Sequence, residues 1–190
     1  NPKYVLKRGT DAYFVEMKCL RESTSSVSEG YVRSFTSGSK FQRFDTLFAR
    51  ITPCLENGKT GLVLNKSASG VCWGSTEFIV FSPQDDQSPL FPYCWARSEN
   101  LRTAAVSSMT GSSGRQRVPN DFFDSYLVAN PDSKLHQTFH KIADPIIDRI
   151  QVCNEEMTTL SELRDTLLPK LISGELRIPD AEKFLEEAGI

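Results

Sequence analysis

The apolar residues of segment 134–176 recur every three or four positions, which is the pattern of a single stripe along an α-helix. A helix over 134–168 would be about 50 Å long, whereas a compact domain of this chain length measures about 35 Å across. We therefore expect the helix to project from its domain or to lie along a partner that covers the stripe. This apolar stripe consists of Leu135, Phe139, Ile142, Ile146, Ile150, Cys153, Met157, Leu160, Leu163, Leu167 and Leu171.

Prolines mark the possible interruptions of this helix. Pro145 predicts either a kink or a short helix that ends near Ala143, followed by a new helix capped by Asp144. Pro169 and then Gly174 predict the end of the helical run.

Ahead of the helix, the pattern changes to the alternation and the short apolar runs that are typical of β-strands. Asn57-Gly58 lies between two of these runs and predicts a hairpin with a tight turn and a positive φ. The segments that we predict to contain strands are 12–20, 31–36, 45–52, 61–65 and 71–82.

After residue 88 the period becomes helical. Residues 89–109 predict two helices that meet near Ser98 to Asn100, and 110–119 is a Gly/Ser-rich loop with two arginines. A helical turn capped by Asn120 is predicted over 121–126, and a short strand over 127–131.

This order of elements indicates the α+β class, with a mixed, strand-rich globular domain followed by a long helix. We divide the chain into a globular domain at 1–133, the long helix at 134–176 and a C-terminal tail at 177–190.

The composition is that of a globular protein, with 39% hydrophobic and 24% charged residues. We expect no membrane span, because no apolar run approaches the roughly 18 residues that a span needs. The cysteines are odd in number, scattered and without a CxxC pair, which indicates reduced thiols in the cytoplasm rather than disulfides or a zinc site. They are Cys19, Cys54, Cys72, Cys94 and Cys153.

Charge is distributed unevenly along the chain. Residues 1–119 hold 15 Lys and Arg against 10 Asp and Glu, whereas residues 120–190 hold 7 against 14. A mildly basic globular part therefore precedes an acidic helical part, although charge alone does not distinguish a polyanion-binding surface from ordinary surface variation.

Catalytic and metal-binding patterns are weak. The chain contains neither common nucleotide cradle, GxGxxG or GxxxxGK[ST], nor the Asn-Pro-Pro-Tyr tetrapeptide of adenine methyltransferases. His136 and His140 share one helix face, but with no third ligand in sequence reach we interpret them as a solvated pair and predict no metal site. Asp11, Glu16 and Lys18 imitate the carboxylate–lysine cluster of metal-dependent nucleases, and exposed charges alternating along a strand are the simpler explanation.

Polar residues in three predicted loops form the best candidate site. Arg pairs bidentately with guanine and Gln or Asn with adenine in the major groove, while hydroxyl and backbone N–H groups meet phosphates. We predict that loop 110–117 faces DNA, the alternative being that it packs against hairpin 52–60 and stabilises the domain. The predicted DNA-binding residues are Lys40, Arg43, Asn57, Lys59, Ser112, Ser113, Arg115, Gln116 and Arg117, with Arg97 and Arg102 flanking the loop.

Four separated segments resemble, in the right order, the specificity subunit of type I restriction–modification enzymes. They are FARITPCLENGKTGLV at 48–63, GSTEFIV at 74–80, MTGSSGRQRVP at 109–119 and LRDTLLPKLISGEL at 163–176. In that family a complete subunit has two target-recognition domains, each followed by a long helix, and the two helices pack antiparallel. The chain resembles one recognition domain with one helix, either as a half-subunit or as a fragment.

The resemblance implies sequence-specific binding of double-stranded DNA without catalysis. Methylation with S-adenosylmethionine and ATP- and magnesium-dependent restriction would reside in separate methyltransferase (M) and restriction (R) subunits, so we expect no cofactor on this chain. It also implies an antiparallel coiled coil, and a lone half-subunit would complete it as a homodimer. The predicted helix-pairing residues are Ile146, Ile150, Met157, Leu160, Leu163 and Leu167. The alternatives are a metal-dependent nuclease using Asp11, Glu16 and Lys18, or a protein-interaction module that works through its helix.

Overall fold

The computed structural model describes residues 1–65, 70–84 and 87–178, together with Lys183 and Glu187. The chain forms two compact units, Asn1–Ile147 and Asp148–Ile190. The first unit contains two β-sheets and three short helices, and a long fourth helix begins in the first unit and continues into the second. Within the described residues, none of the helices combines the length and the apolar composition that crossing a membrane requires.

The larger sheet has four strands in the order β2-β1-β6-β3. β1 pairs parallel with β6, and the outer pairs β1–β2 and β6–β3 are antiparallel. β1 is shorter than predicted, because the chain turns into a 3-10 helix at Met17–Cys19. The strands are β1 (Asp11–Val15), β2 (Tyr31–Ser34), β3 (Ser39–Phe41) and β6 (Cys72–Gly74).

The smaller sheet has three antiparallel strands in the order β5-β4-β7, which are β4 (Thr46–Ala49), β5 (Thr60–Leu62) and β7 (Phe78–Phe81). All four residues of β4 are buried, as expected of a central strand that is covered on both faces. One core joins the two sheets and includes Val15, Phe41, Leu47, Val63 and Val80.

Two helices follow the sheets, α1 (Leu90–Arg97) and α2 (Glu99–Ser107), and they confirm the predicted junction near Ser98 to Asn100. Ser98 ends α1 and caps α2, since its Oγ accepts a hydrogen bond from the Leu101 backbone N–H at 3.3 Å. A second core packs α2 against the smaller sheet through Phe48, Leu55, Ile79, Leu101 and Val118.

Two local predictions after α2 are wrong. Helix α3 (Phe122–Ser125) is preceded by Asp121 rather than capped by Asn120, whose side-chain oxygen instead accepts a hydrogen bond from Arg50. Residues 127–131 form no strand. None of the described strands pairs with this segment. Its side chains Leu127 and Val128 are exposed.

Helix α4 (Ser133–Ser173) is continuous, so of the two alternatives predicted at Pro145 the division into two helices is wrong. Asp132 caps its start, with Oδ1 accepting from the Leu135 N–H at 2.8 Å. A proline removes one N–H donor, and the remaining i to i−4 bonds carry the helix through Pro145 and Pro169. The helix ends where Gly174 takes a φ of +75°.

The interpretation of His136 and His140 as a solvated pair is wrong for His136. This side chain is buried in the first unit, where its ring meets Phe91 edge to face with the centroids 4.9 Å apart. Its Nε2 lies 3.3 Å from Asn130 Oδ1. His140 pairs with Asp144 one helical turn further along α4.

Candidate nucleic-acid interface

Loop 110–117 is closed at its base by the backbone. Thr110 and Arg117 exchange two hydrogen bonds, of 3.0 and 2.9 Å, which form an isolated antiparallel bridge. Between them Gly111 and Gly114 have φ values of +121° and +75°, so the chain reverses at residues without a Cβ. The loop is therefore a short closed structure and not a loose connection.

The same loop is attached to the segment that follows β4. The Thr52 N–H donates to the Gln116 carbonyl at 3.0 Å, and Thr52 Oγ1 accepts from the Gln116 N–H at 3.1 Å. Arg50 donates to the carbonyl of Val118, whose N–H returns a bond to the Arg50 carbonyl at 2.9 Å. The packing of the loop against 52–60, which the sequence left as an alternative, is thus present at its base.

The tip of the loop projects its polar groups into solvent, because Ser112, Ser113 and Arg115 are all exposed. Arg117 is oriented differently, since its Nε lies 2.9 Å from both carboxylate oxygens of Glu77. Among the residues that the structure describes, the Arg115 guanidinium has no hydrogen-bond or ion-pair partner, whereas Arg117 is held at the base of the loop by a bidentate ion pair. Glu77 was not predicted as a site residue, because its pairing with Arg117 depends on contact between residues far apart in sequence.

The predicted hairpin is present, since β4 and β5 pair antiparallel, but β4 ends at Ala49 and the connection is longer than the predicted strand bounds allowed. Ten residues, 50–59, separate the strands, and Leu55 and Asn57 donate to the carbonyls of Ile51 and Pro53 in successive helical-type turns. The positive φ at Gly58 is confirmed at +73°. Asn57 is exposed and Lys59 is half-buried at the end of this connection.

Arg97 and Arg102, which precede loop 110–117 in sequence, lie against the 50–59 connection instead. Arg97 donates to the carbonyl of Gly58 at 2.9 Å and to the carbonyl of Glu22 at 3.3 and 3.4 Å. A Cβ added at Gly58 would lie 2.9 Å from a guanidinium nitrogen of Arg102. The two arginines therefore pack around the turn.

The predicted DNA-binding residues fall into two groups at opposite ends of β4. One group surrounds the strand's C-terminal end and comprises Asn57, Lys59, Ser112, Ser113, Arg115, Gln116 and Arg117. Lys40 and Arg43 precede the strand, and the six residues from Asp45 to Arg50 span about 17 Å of extended chain. The structure thus brings together the hairpin and loop residues but not all nine predicted positions.

At the N-terminal end of β4, Arg43 lies over the ring of Phe44, with Cζ 4.5 Å from the ring centroid. Phe44 has a φ of +76°, which is unusual for an aromatic residue. The turn is anchored by Asp45, whose Oδ2 accepts from the Gln42 N–H at 2.8 Å and whose Oδ1 accepts from Ser82 and from Tyr4. Burial raises the pKa of this carboxyl above its ordinary value, and its hydrogen bonds oppose that shift.

The three residues of the nuclease alternative do not all come together. Asp11 and Glu16 lie at opposite ends of β1, about 16 Å apart along an extended strand. Asp11 accepts a hydrogen bond from Ser34, and Glu16 forms an ion pair with Lys18 at 2.5 Å. In the described part of the chain, no three His, Cys, Asp or Glu residues cluster so as to hold a metal ion.

Helix α4 exposes much of its apolar stripe. Among the predicted helix-pairing residues, Ile146, Met157 and Leu160 are 47%, 61% and 56% exposed. Ile150, Leu163 and Leu167 are half-buried. Ala143 and Ile147, which belong to the first unit, are buried.

Comparison with known proteins gives one consistent result. The chain is 28% identical to the specificity subunit of the type I restriction enzyme EcoEI from Escherichia coli, over 98% of this chain and 32% of that subunit. It is 33% identical to the EcoAI specificity subunit from Escherichia coli over 55% of this chain, and 29% identical to the MjaIX specificity subunit from Methanocaldococcus jannaschii over 54%. The chain is similar to type I restriction enzyme specificity subunits. It spans about a third of the EcoEI subunit, and no model of a protein family matches it.

The fold of this chain is similar to that of two solved structures. The HsdS subunit from Thermoanaerobacter tengcongensis matches 84% of this chain with a TM-score of 0.55 and 18% identity. A chain from a structure of the type I R-M system matches 90% with a TM-score of 0.56 and 16% identity. The matched regions make up 41% of the HsdS chain and 44% of the chain from the type I R-M system. The predicted resemblance and the α+β fold with a long helix are thereby confirmed.

Proposed function

We propose that this chain is a DNA-recognition module of a type I restriction–modification specificity subunit, with one target-recognition domain and one spacer helix. The observation that carries the proposal is the similarity to the EcoEI specificity subunit along 98% of the chain. The fold of HsdS supports it independently of sequence. The module acts without catalysis in the cytoplasm and directs methylation and restriction by partner subunits.

The polar tip of loop 110–117 contacts DNA in this proposal. Arg115 is exposed on a loop whose base is closed by the Thr110–Arg117 bridge, so its guanidinium is presented from a stable support. Such a side chain can approach a guanine edge bidentately. Ser112, Ser113 and nearby backbone N–H groups suit phosphate contacts, which set the register of the protein on the duplex.

Helix α4 pairs with another helix in this proposal. Its exposed apolar side chains would be covered by an antiparallel helix about 8–10 Å away between the helix axes, supplied by a complete subunit or by a second copy of this chain. A second copy makes a two-fold symmetric homodimer and requires a palindromic, interrupted DNA target. The acidic residues Glu156, Glu162 and Asp165 of α4 contact M subunits in this proposal, and the R subunit joins that complex.

The test is co-expression of the chain with M subunits of a type I system, followed by sequencing of the methylated adenines in host DNA. The expected result is methylation at one defined sequence, which disappears when the chain is omitted. Methylation at random sites, or none with a properly assembled complex, refutes the proposal. Metal-dependent cutting by the purified chain alone would instead favour the nuclease alternative.

A further inference from the structure

One face of the four-stranded sheet carries both aromatic and basic side chains. Tyr31, Phe14, Trp73 and Lys40 lie opposite one another in register and form one row across β2, β1, β6 and β3. Residues that are opposite in register project to the same face of a sheet. Ala12 is two residues before Phe14 on β1 and therefore projects to the same face. Arg33 lies opposite Ala12, so it projects to this face as well.

The aromatic rings form the floor of this face. Phe14, Phe35 and Trp73 make a buried cluster separate from the main core, with ring centroids 4.3 Å apart for Phe14 and Trp73 and 5.4 Å apart for Phe35 and Trp73. Leu6 packs against the cluster from the segment before β1. Phe14, Phe35 and Trp73 are 8%, 8% and 2% exposed, so these three rings are not available to stack on an incoming base, whereas Tyr31 at the edge of the row is 47% exposed.

Two cations lie directly over this floor. The Arg33 guanidinium carbon is 5.1 Å from the Phe14 ring centroid and 5.7 Å from that of Trp73. Lys40 Nζ is 5.5 Å from the Phe35 centroid and donates to the Tyr4 carbonyl at 3.1 Å. Neither cation forms an ion pair with a carboxylate in the part of the chain that the structure describes. Stacking orients a guanidinium while its N–H groups stay available at the edge.

Two more cations lie beside Phe35. Lys7 and Arg8 are exposed, and their position is set by backbone hydrogen bonds from Gly9 N–H to the Phe35 carbonyl at 2.8 Å and from Thr10 N–H to the Lys7 carbonyl at 3.1 Å. We call Lys7, Arg8, Arg33 and Lys40 the basic face.

The two carboxylates at the ends of β1 already have partners. Asp11 accepts a hydrogen bond from Ser34, and Glu16 pairs with Lys18 at 2.5 Å. Residues 1–43 hold eight Lys and Arg against four Asp and Glu, so most of the positive excess of the globular part is found in and around this sheet. The face therefore suits a polyanion.

We propose that the basic face binds the phosphodiester backbone of DNA, as a surface additional to the base-reading loop 110–117. This inference rests on the proposed function, and it assigns to Lys7, Arg8 and Arg33 a role that the sequence did not predict. Phosphates fit better than bases, because the three rings beneath the cations, Phe14, Phe35 and Trp73, are buried and the cations are spread along the surface.

The basic face and the reading loop are joined by a short stretch of chain. β6 carries Trp73, and four residues later Glu77 binds Arg117 at the base of the loop. Four residues reach at most about 14 Å, which is a small part of the length of a bound duplex. One duplex can therefore contact both surfaces, the loop through base edges and the face through phosphates.

The test measures how DNA affinity depends on salt. A fluorescent duplex of about 30 base pairs and random sequence is titrated with the full chain between about 50 and 200 mM NaCl. Each phosphate contact contributes about −0.9 to the slope of log affinity against log salt. We expect the slope to become shallower by about 0.9 in Arg33→Gln and in Lys40→Gln, and by about twice that in the Lys7→Gln/Arg8→Gln double variant.

Controls separate charge from structure. Arg33→Lys keeps the charge and should keep the slope, and Arg149→Gln, which removes an exposed arginine of α4, should leave it unchanged. The Lys7 and Arg8 variant removes exposed side chains and so remains informative if Arg33→Gln fails to fold. The basic-face variants should also weaken random and target duplexes by the same factor, because phosphate contacts carry no sequence information.

The inference is overturned if the folded double variant and Lys40→Gln both keep the wild-type slope while Arg115→Ala still weakens binding to the target. An unchanged slope together with lost assembly with M subunits would assign the face to a protein partner and equally overturn it. A wild-type chain that binds no duplex overturns the proposed function itself.

Discussion

Arg115 and Arg117 are separated by one residue, yet we expect their alanine variants to behave differently. Arg115 is exposed, and its side chain makes no contact with the described residues that its removal would break. The Arg117 side chain binds both oxygens of Glu77 at 2.9 Å. The first variant should therefore affect DNA binding alone, and the second should affect stability and binding together.

The magnitudes follow from these contacts. Truncating an exposed side chain such as Arg115 changes the free energy of unfolding by less than about 0.5 kcal/mol. The Arg117 and Glu77 side chains are 44% and 21% exposed, so solvent screening limits their ion pair to about 0.2–1 kcal/mol of stability. A base-reading arginine contributes about 1–3 kcal/mol to affinity for the target, which is a change of about 5- to 150-fold in Kd.

The ion pair with Glu77 also predicts a difference in DNA affinity between the two arginine variants. Arg117 must give up its ion pair to reach DNA, so its contribution to affinity is reduced by the energy of that pair. We expect Arg117→Ala to lose less affinity than Arg115→Ala. Glu77→Gln should release Arg117 and strengthen DNA binding by at most about 1 kcal/mol, or about fivefold.

The assay is fluorescence anisotropy on the target duplex at one fixed salt concentration, with thermal unfolding measured on the same preparations. Arg149→Ala, which removes an exposed arginine of α4, serves as the matched control. A wild-type Kd for Arg115→Ala would refute the assignment of this residue to the DNA surface. A loss of stability in Arg115→Ala as large as that in Arg117→Ala would refute the structural reasoning.

Three further predictions concern the turn, the helix and the buried carboxylate. Gly58→Val places a branched side chain at a φ of +73°, 2.9 Å from Arg102, and should lower stability by about 1–3 kcal/mol. The melting temperature should fall by about 2–4 °C per kcal/mol. A melting temperature equal to that of wild type and of the control Asn57→Ala would contradict this prediction. Leu160→Asp should convert a homodimer at tens of micromolar into a monomer by light scattering, whereas the neighbouring Ser161→Asp should not, and a monomeric wild type would rule out self-pairing. Burial raises the pKa of Asp45 above its unfolded value. The stability that the protonated Asp45 carboxyl contributes is therefore complete below the ordinary pKa and is lost as the pH rises through the raised pKa. The unfolding free energy of wild type relative to Asp45→Asn, measured in urea, should therefore fall from about pH 4 upward, and a constant difference would contradict the assignment.

Local patterns predicted the elements whose formation depends on neighbours in sequence. The apolar stripe predicted α4, and the residues around Ser98 predicted the break between α1 and α2, because periodicity and helix capping act within a few residues. The positive φ at Gly58 was predicted for the same reason. The order of strand-like and helical segments predicted the α+β class, and the four segments that resemble specificity subunits implied one recognition domain followed by one long helix.

Contacts between distant segments determined the rest. Residues 127–131 have the composition of a strand but no strand to pair with, and Pro145 lies inside a helix whose other hydrogen bonds remain. The long connection at 50–59 takes its shape from Arg97 and from the loop base at Thr52, neither of which a local turn signal contains.

For the candidate site, the sequence supplied residue types and the tertiary structure supplied their partners. The string Arg115-Gln116-Arg117 indicated DNA contact, but only the folded chain brings Glu77 to Arg117 and leaves Arg115 uncommitted. In the same way, only the register of the four-stranded sheet places Arg33 and Lys40 on one aromatic floor. Pairings of this kind join residues tens of positions apart, and they form because burial of a shared core decides which strands become neighbours.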